Sequence, residues 1–411
     1  MLQPYRALDL SDHNGYLCGK ILGDLGADVI KIEKPRGDPG RAIGPFYKDI
    51  PDPGKSLYWF AFNANKRGVT LNIKSADGRE IFKRLVKTAD FVIESFPPGY
   101  MDSLGLGYSE LSLVNPKVIM TSISPFGQAG PYRDYAASDL VIQAMSGLLY
   151  VSGDPDRPPV RISFPQASLL AGAEAAVGTL IALNYRQVTQ EGQHVEVSMQ
   201  RSVLQATFDV LLWWGANKIV RKRQGSTRVR PDTGIVSEQA WACKDGYVNF
   251  YFFGGAWSAK ANQALVEWMD SEGYATDFLK QINWSELDWS RLSQDEVNAL
   301  EEPTRRFFQQ HTRKELFEGA IKRDILLYPV NTVEDIVNDE QLRFRRYWTK
   351  LEHDELGTTI MYPSAWVRAS ESPVGIRRRA PTIGEHNWET YGNELGFSKE
   401  ELVVLKNAGV I

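Results

Sequence analysis

At 411 residues the chain is too long for one simple core and is expected to hold two domains. Hydrophobic residues at 43% and charged residues at 24% are ordinary for a folded soluble protein, and a net charge of −4 argues against nucleic acid as the main partner. Cys18 and Cys243 form neither a metal-ligand spacing nor a disulfide framework, so no structural metal is expected. The start, MLQPYRALDL, lacks a charged stretch followed by an apolar one and is not read as a secretory signal. The longest apolar run, near Leu169 to Leu183, contains Glu174 and is read as falling short of a membrane span. These readings together point to a cytoplasmic protein with no membrane partner.

From Arg6 to Ser124 strands and helices alternate. Ala7 to Leu10, Asp28 to Ile32, Val69 to Ile73, Phe91 to Ser95 and Val118 to Ser124 read as buried strands. Gly15 to Leu25 and Gly78 to Ala89 read as helices between them, the second with Ile81, Leu85 and Val86 on one face. This pattern predicts an α/β domain with a Rossmann-like, doubly wound parallel sheet. A nicotinamide site is not expected, because Ser11-Asp12-His13-Asn14-Gly15 follows the first strand in place of a glycine fingerprint. Gly15, Gly19 and Gly23 recur every four residues and suggest tight packing along one helix face.

Residues 153 to 199 carry a Pro-rich loop, a helix dense in Ala and Gly that runs through Arg186, a turn at Gly192, and an alternating strand from His194 to Ser198. Gln200 to Trp214 reads as a helix with Val203, Phe208, Leu211 and Leu212, and the basic stretch Arg221 to Arg230 as a linker. A smaller α+β domain is expected next, from Thr233 to about Tyr328. It opens with strands at Ala240 to Cys243 and Tyr247 to Phe253, turned at Lys244-Asp245-Gly246, and continues through Gly254-Gly255 into a helix from Trp257 to Met269. Trp284 and Trp289 are expected in a core or an interface. The domain reading is therefore 1–220 for the first part of the large domain, 221–328 for the small one, and 329–411 for a segment returning to the large one.

Pro-Pro-Val-Arg from Pro158, the small-residue helix ending Gly-Thr-Leu-Ile-Ala-Leu, and Gly-Gln-His-Val-Glu-Val-Ser-Met from Gly192 resemble the signature of the class III CoA-transferases. DLGADVIKIEKPRGDPGR, NANKRGVTLNIKSADGREIFKRLV, ADFVIESFPPGYMDSLGLGYSEL and the C-terminal IGEHNWETYGNELGFSKEELVVLKNAGVI extend the resemblance over nearly the whole chain. The resemblance implies a large Rossmann-like domain built from both ends of the chain and an interlocked dimer. It also implies coenzyme A thioesters as substrates, with no permanently bound cofactor. Contacts to CoA are implied for Arg41, Leu71, Lys74 and Phe96. Without the resemblance, Lys66, Arg67 and Lys74 would read as a solvated basic face. Ser95 and Ser103 depart from the pattern, standing where asparagine and arginine are usual. The resemblance implies a glycine-rich loop near Gly254-Gly255 that closes over the thioester, although an ordinary strand-to-helix turn accounts better for those two residues.

The family's nucleophilic aspartate would fall ten residues before Gly178, where this chain has Ser168. The chemistry needs a carboxylate: its attack on a thioester gives a mixed anhydride that thiolate can reopen, so each covalent step is nearly balanced. A serine would form an oxygen ester well downhill, and it needs a base to attack at all. Glu174, six residues on, lies well around the helix and is a weak substitute. The racemase branch's histidine slot holds Ser138, so proton abstraction is not expected, and Asp139 reads as a helix-start residue. The leading expectation is the non-catalytic subunit of a heteromeric transferase whose homologous partner carries the aspartate, as in benzylsuccinate-type relatives. CoA would move from a donor such as succinyl-CoA to a carboxylic acid such as an aromatic dicarboxylate. The alternatives are an active transferase using another carboxylate, and an acyl-CoA-binding protein without turnover.

Overall fold

The computed structural model describes residues 1–230, 232–364 and 366–411. Short runs rich in Val and Ile, apolar on both faces, favour buried parallel strands. Six strands, β1 (Arg6–Asp9), β2 (Asp28–Glu33), β3 (Lys66–Thr70), β4 (Phe91–Glu94), β5 (Ile119–Ser124) and β6 (His194–Ser198), form one sheet in the order β3-β2-β1-β4-β5-β6. Every neighbouring pair is parallel, as the doubly wound reading requires. The order reverses between β1 and β4, and the crevice beyond the carboxyl ends of those strands is where α/β sheets of this kind bind ligands.

The described residues form two compact units. The first comprises Met1–Leu148, Ile162–Phe208 and Gln341–Ile411, so the chain's end returns to the sheet that its beginning builds. On one face of that sheet, Cys18 and Leu22 of the helix Tyr16–Asp24 and Ala171 and Ala175 of the long helix Gln166–Thr189 pack on Phe91, Ile93 and Ile119. On the other, Ile81, Phe82 and Leu85 of the helix Ala76–Val86 pack on Val92 and Met120, joined by Tyr391, Val410 and Ile411 from the returning segment. Close helix contact needs small residues: a Cβ on Gly172 would lie 2.9 Å from the Leu17 Cβ. The long helix, at 24 residues, is long and apolar enough to cross a membrane by length and composition, which corrects the shorter span read from sequence. Its buried face is nonetheless committed to the sheet, where Thr179 Oγ1 lies 2.7 Å from Thr121 Oγ1.

β3 begins three residues before the expected Val69, because its first residues are charged and apolar patterning passes over them. Neither charge is solvated. Lys66 is wholly buried, donating to Asp9 Oδ2 at 2.8 Å, to Tyr16 O and to Asn63 Oδ1. Arg67 pairs with Asp28, Glu389 and Glu394. Gly19 makes the buried pair possible, since a Cβ there would come within 2.3 Å of Asp9 Oδ2. The glycine repeat is thus a packing device, with Gly15 against Ser11 and Gly23 against Asn65. The single helix expected from Gln200 to Trp214 is two, Met199–Ala206 and Phe208–Asn217, with Thr207 between them off helical geometry at φ −118° and ψ 23°.

The second unit, Leu149–Arg161 with Asp209–Glu340, holds an antiparallel pair, Ala240–Cys243 with Gly246–Asn249, extended by Tyr328–Pro329. The helices Ala256–Ser271, Gln294–Gln310 and Arg313–Ile321 cover Trp241, Phe250 and Val248. Trp284 and Trp289 are core residues, stacked on Phe252 and Tyr251 at 5.3 and 5.2 Å. Glu301, on the helix Gln294–Gln310, is buried and accepts the Glu238 N–H at 2.8 Å. Burial pushes its carboxyl up to about 7, the Glu238 charge adding to the effect. The unfolded chain therefore gives up this proton first as pH rises, and the carboxylate costs the folded unit stability progressively between the ordinary glutamate pKa and about 7. Glu301→Gln is expected to remove that loss, worth roughly 1 kcal/mol after solvent screening of a group at the core's edge. The thermal midpoint at pH 8 should rise toward its value at pH 5.

Candidate functional site

The crevice at the switch point is built from the loops that leave β1 and β4. Ser95, just past β4, donates its hydroxyl to Asp12 Oδ1 and accepts the Asp12 N–H, both at 2.8 Å, tying the two loops together across the reversal. Asp12 Oδ1 also accepts the Asn14 N–H at 2.9 Å, which turns the Asn14 side chain toward the start of the long helix. There Ser168, 3% exposed, donates its hydroxyl to Asn14 Oδ1 at 3.1 Å. The other carboxylate at this point is Asp139. Its Oδ1 accepts the Ala167 N–H at 2.7 Å and the Ser168 N–H at 3.4 Å, and its Oδ2 accepts from Gln143 Nε2 at 2.5 Å.

Asp139 therefore has two jobs. It is the first residue of the helix Asp139–Met145, behind Ser138 as N-cap, which is the helix-start role expected. It also caps the following helix from outside: Pro165 at the N-cap of Gln166–Thr189 has no side chain able to accept, and Asp139 takes its place. Asp139→Ala is expected to cost about 1–2 kcal/mol, with Asp139→Asn, which keeps a carbonyl acceptor, losing less than half of that. Urea unfolding monitored by far-UV circular dichroism measures the difference. Tyr58 lies close by, its phenol pushed up to about 12 by burial and then by the charges of Asp12 and Asp139.

This geometry decides what Ser168 can do. Its hydroxyl points at a neutral amide oxygen, and no imidazole takes its proton; the His13 ring instead faces Asp12 at 3.8 Å. Without a base the hydroxyl is a poor nucleophile. Glu174 is turned to Ser202, whose hydroxyl donates to it at 2.6 Å.

The residues implied as CoA contacts are dispersed along the carboxyl edge of the sheet. Arg41 is 3% exposed, forked onto Glu33 by two bonds of 2.7 Å, bonded to Pro381 O at 2.9 Å and laid over Trp59 at 3.8 Å. In this arrangement the guanidinium is committed to a buried carboxylate. The Leu71 side chain is 2% exposed within the core. Lys74 is exposed beyond the end of β3, and Phe96 is half-buried beyond the end of β4, its ring 4.8 Å from Tyr100. Ser103 turns its hydroxyl back to Tyr100 O at 2.7 Å. Among the described residues no group of three or more His, Cys, Asp and Glu is placed to hold a metal ion.

Asp12, Asn14, Tyr58 and Gln143 were not singled out from sequence. The switch-point rule would have found the first two, since they occupy the loop that leaves β1. Tyr58 and Gln143 carry no local signal.

The model of CoA-transferase family III matches residues 2–387. The chain is 33% identical over 408 residues to a succinyl-CoA:(R)-benzylsuccinate CoA-transferase subunit of Thauera aromatica, covering 99% of this chain and 97% of that one. It is 30% identical to the β subunit of a succinyl-CoA–L-malate CoA-transferase of Chloroflexus aurantiacus, covering 96% and 94%. Among solved structures, a CaiB/BaiF family protein from Brucella suis superimposes with a TM-score of 0.80 at 27% identity, covering 95% of this chain and 98% of that one.

Proposed function

Starting from the fact that the chain belongs to CoA-transferase family III, we propose that it is the nucleophile-free subunit of a heteromeric transferase. The complex moves CoA from succinyl-CoA to a carboxylic acid of the benzylsuccinate kind, and a homologous partner supplies the aspartate. The observation that carries this reading is the Ser168 hydroxyl, which sits in the nucleophile slot bonded to Asn14 Oδ1. An ester formed there would not return its acyl group to a thiol. Two similar relatives are themselves named as subunits, which supports a partner. So does an apolar stripe along the long helix, where Val177, Ile181, Tyr185 and Val188 are 53–84% exposed and a second chain would cover them.

A CoA thioester is placed along the carboxyl edge of the sheet, its phosphates toward Lys74 and the exposed Arg36 and its pantetheine arm beside Phe96. The thioester end then reaches the crevice between Asp12 and Ser168. The test is co-purification from the native host, followed by assay of the chain with and without whatever travels with it. Transfer from succinyl-CoA is expected only from the complex, with a hydroxylamine-sensitive acyl group on the partner. Full transfer by this chain alone would overturn the reading.

A further inference from the structure

At the edge of the sheet opposite the crevice, where β1, β2 and β3 begin, lies a polar hollow of about 510 Å³. Its walls carry Arg6, Arg67, Arg377 and Arg378 against Asp28, Glu389 and Glu394, so arginines outnumber carboxylates by one. The carboxylates are already taken by two of the four. Arg6 lies 2.9 Å from Asp28 and 3.0 Å from Glu394, while Arg67 lies 2.7 Å from Asp28, 2.7 Å from Glu394 and 3.1 Å from Glu389. Arg377 spends its N–H groups on carbonyls, with Nη1 3.3 Å from Asp24 O and 3.2 Å from Gly375 O, which leaves its charge unopposed.

Arg378 is exposed, and among the described residues its guanidinium comes within hydrogen-bonding distance of one group, His386 Nε2, 3.4 Å from Nη1. The tautomer of that ring follows from its other nitrogen. Nδ1 accepts the Gly68 N–H at 3.1 Å, and the His386 N–H returns to Gly68 O at 2.9 Å, so the ring is held on β3 from both sides. A ring nitrogen that accepts carries no proton, and the neutral imidazole then carries its proton on Nε2. Burial, joined by Arg378 and opposed by Glu385, holds His386 below the usual imidazole range, so the ring is neutral at pH 7. Nε2–H and the guanidinium are therefore two donors face to face, and neither can accept from the other. His386 is only 9% exposed, so its N–H is largely withdrawn from water as well.

We propose that this hollow binds a small molecule bearing a carboxylate or phosphate group, one oxygen of which accepts from both Arg378 Nη1 and His386 Nε2. Two donors at that spacing can share a single anionic oxygen, and both bonds are then charge-assisted. Arg377 adds a second unopposed positive charge on the same wall. The bound anion would tie together stretches distant in sequence, the edge strand β3 through Gly68 and His386 and the segment 375–378, and so would stabilise the folded chain. The hollow lies at the amino ends of the strands, away from the crevice at their carboxyl ends, and the site stands or falls independently of where a thioester binds.

Two readouts test this on the full-length chain. The first needs no ligand: a proton–nitrogen NMR correlation of the histidine rings should place the His386 proton on Nε2, the ring being recognised among five histidines by its shift in Arg378→Gln. A proton on Nδ1 would make Nε2 an acceptor for Arg378 and overturn the site. The second is calorimetric titration with inorganic phosphate and with succinate, in chloride buffer at fixed ionic strength. At least one probe should bind and raise the thermal midpoint, and Arg378→Gln should weaken that binding by about tenfold or more. Binding of phosphate alone assigns the site to a phosphate ester, and of succinate alone to a carboxylate. The exposed Arg378 side chain anchors no other element, so the variant should keep the unaltered chain's midpoint in chloride. Equal affinity in the variant, or no binding of either probe by the unaltered chain, would overturn the proposal.

Discussion

Ser168→Asp is expected to give the chain a covalent acyl intermediate that hydroxylamine cleaves, with succinyl-CoA consumed at least about a thousandfold faster than by the unaltered chain. The start of the long helix favours an anion, since its first N–H groups and its dipole face that point. It already holds one anion, however, with Asp139 Oδ1 only 3.4 Å from the Ser168 amide. A second carboxylate beside it will not ionise at its ordinary pKa; the pair titrates in two separated steps, the later one raised. Activity of the variant should therefore climb with pH above the usual carboxylate range. Adding Asp139→Asn should move that climb down by about one pH unit. Mass spectrometry of the trapped enzyme places the label. A folded variant that binds succinyl-CoA and leaves nothing at position 168 would mean that the thioester does not reach this crevice.

Lys66→Met should cost about 3–5 kcal/mol, because it strands the Asp9 carboxylate in a site with no exposure. Burial alone would raise Asp9, but Lys66 first and Lys31 second hold it below the usual carboxylate range. With Lys66 gone, Asp9 keeps only the Ser11 amide and hydroxyl, at 3.0 and 2.5 Å, and the more distant Lys31. Its folded pKa then rises, so the variant's deficit should shrink as pH falls and Asp9 takes up a proton. Urea midpoints at pH 5 and pH 8 check both the size and the sign. The double variant Asp9→Leu with Lys66→Met should recover much of the loss, since an apolar pair carries no desolvation penalty. Gly19→Ala strikes the same place from the other side, its Cβ within 2.3 Å of Asp9 Oδ2.

Much of the sheet was legible because buried parallel strands carry a periodic apolar signal; β1, β2, β4, β5 and β6 all lie where that signal placed them. β3 was misplaced because its opening Lys66 and Arg67 are neutralised by residues distant in sequence, Asp9, Asp28, Glu389 and Glu394, which no local window contains. The same reason hides the setting of Arg41, which Glu33 and Trp59 enclose.

By itself the amino-acid order determined the fold class, the family and the serine at position 168, since each depends on residue identity at a fixed spacing. Only the tertiary structure decided that the Ser168 hydroxyl meets an amide oxygen and that Asp139 caps a helix starting 27 residues later. The physical reason is that spacing along a chain specifies which backbone forms. Which polar groups satisfy one another is settled by which loops the sheet brings to a common edge.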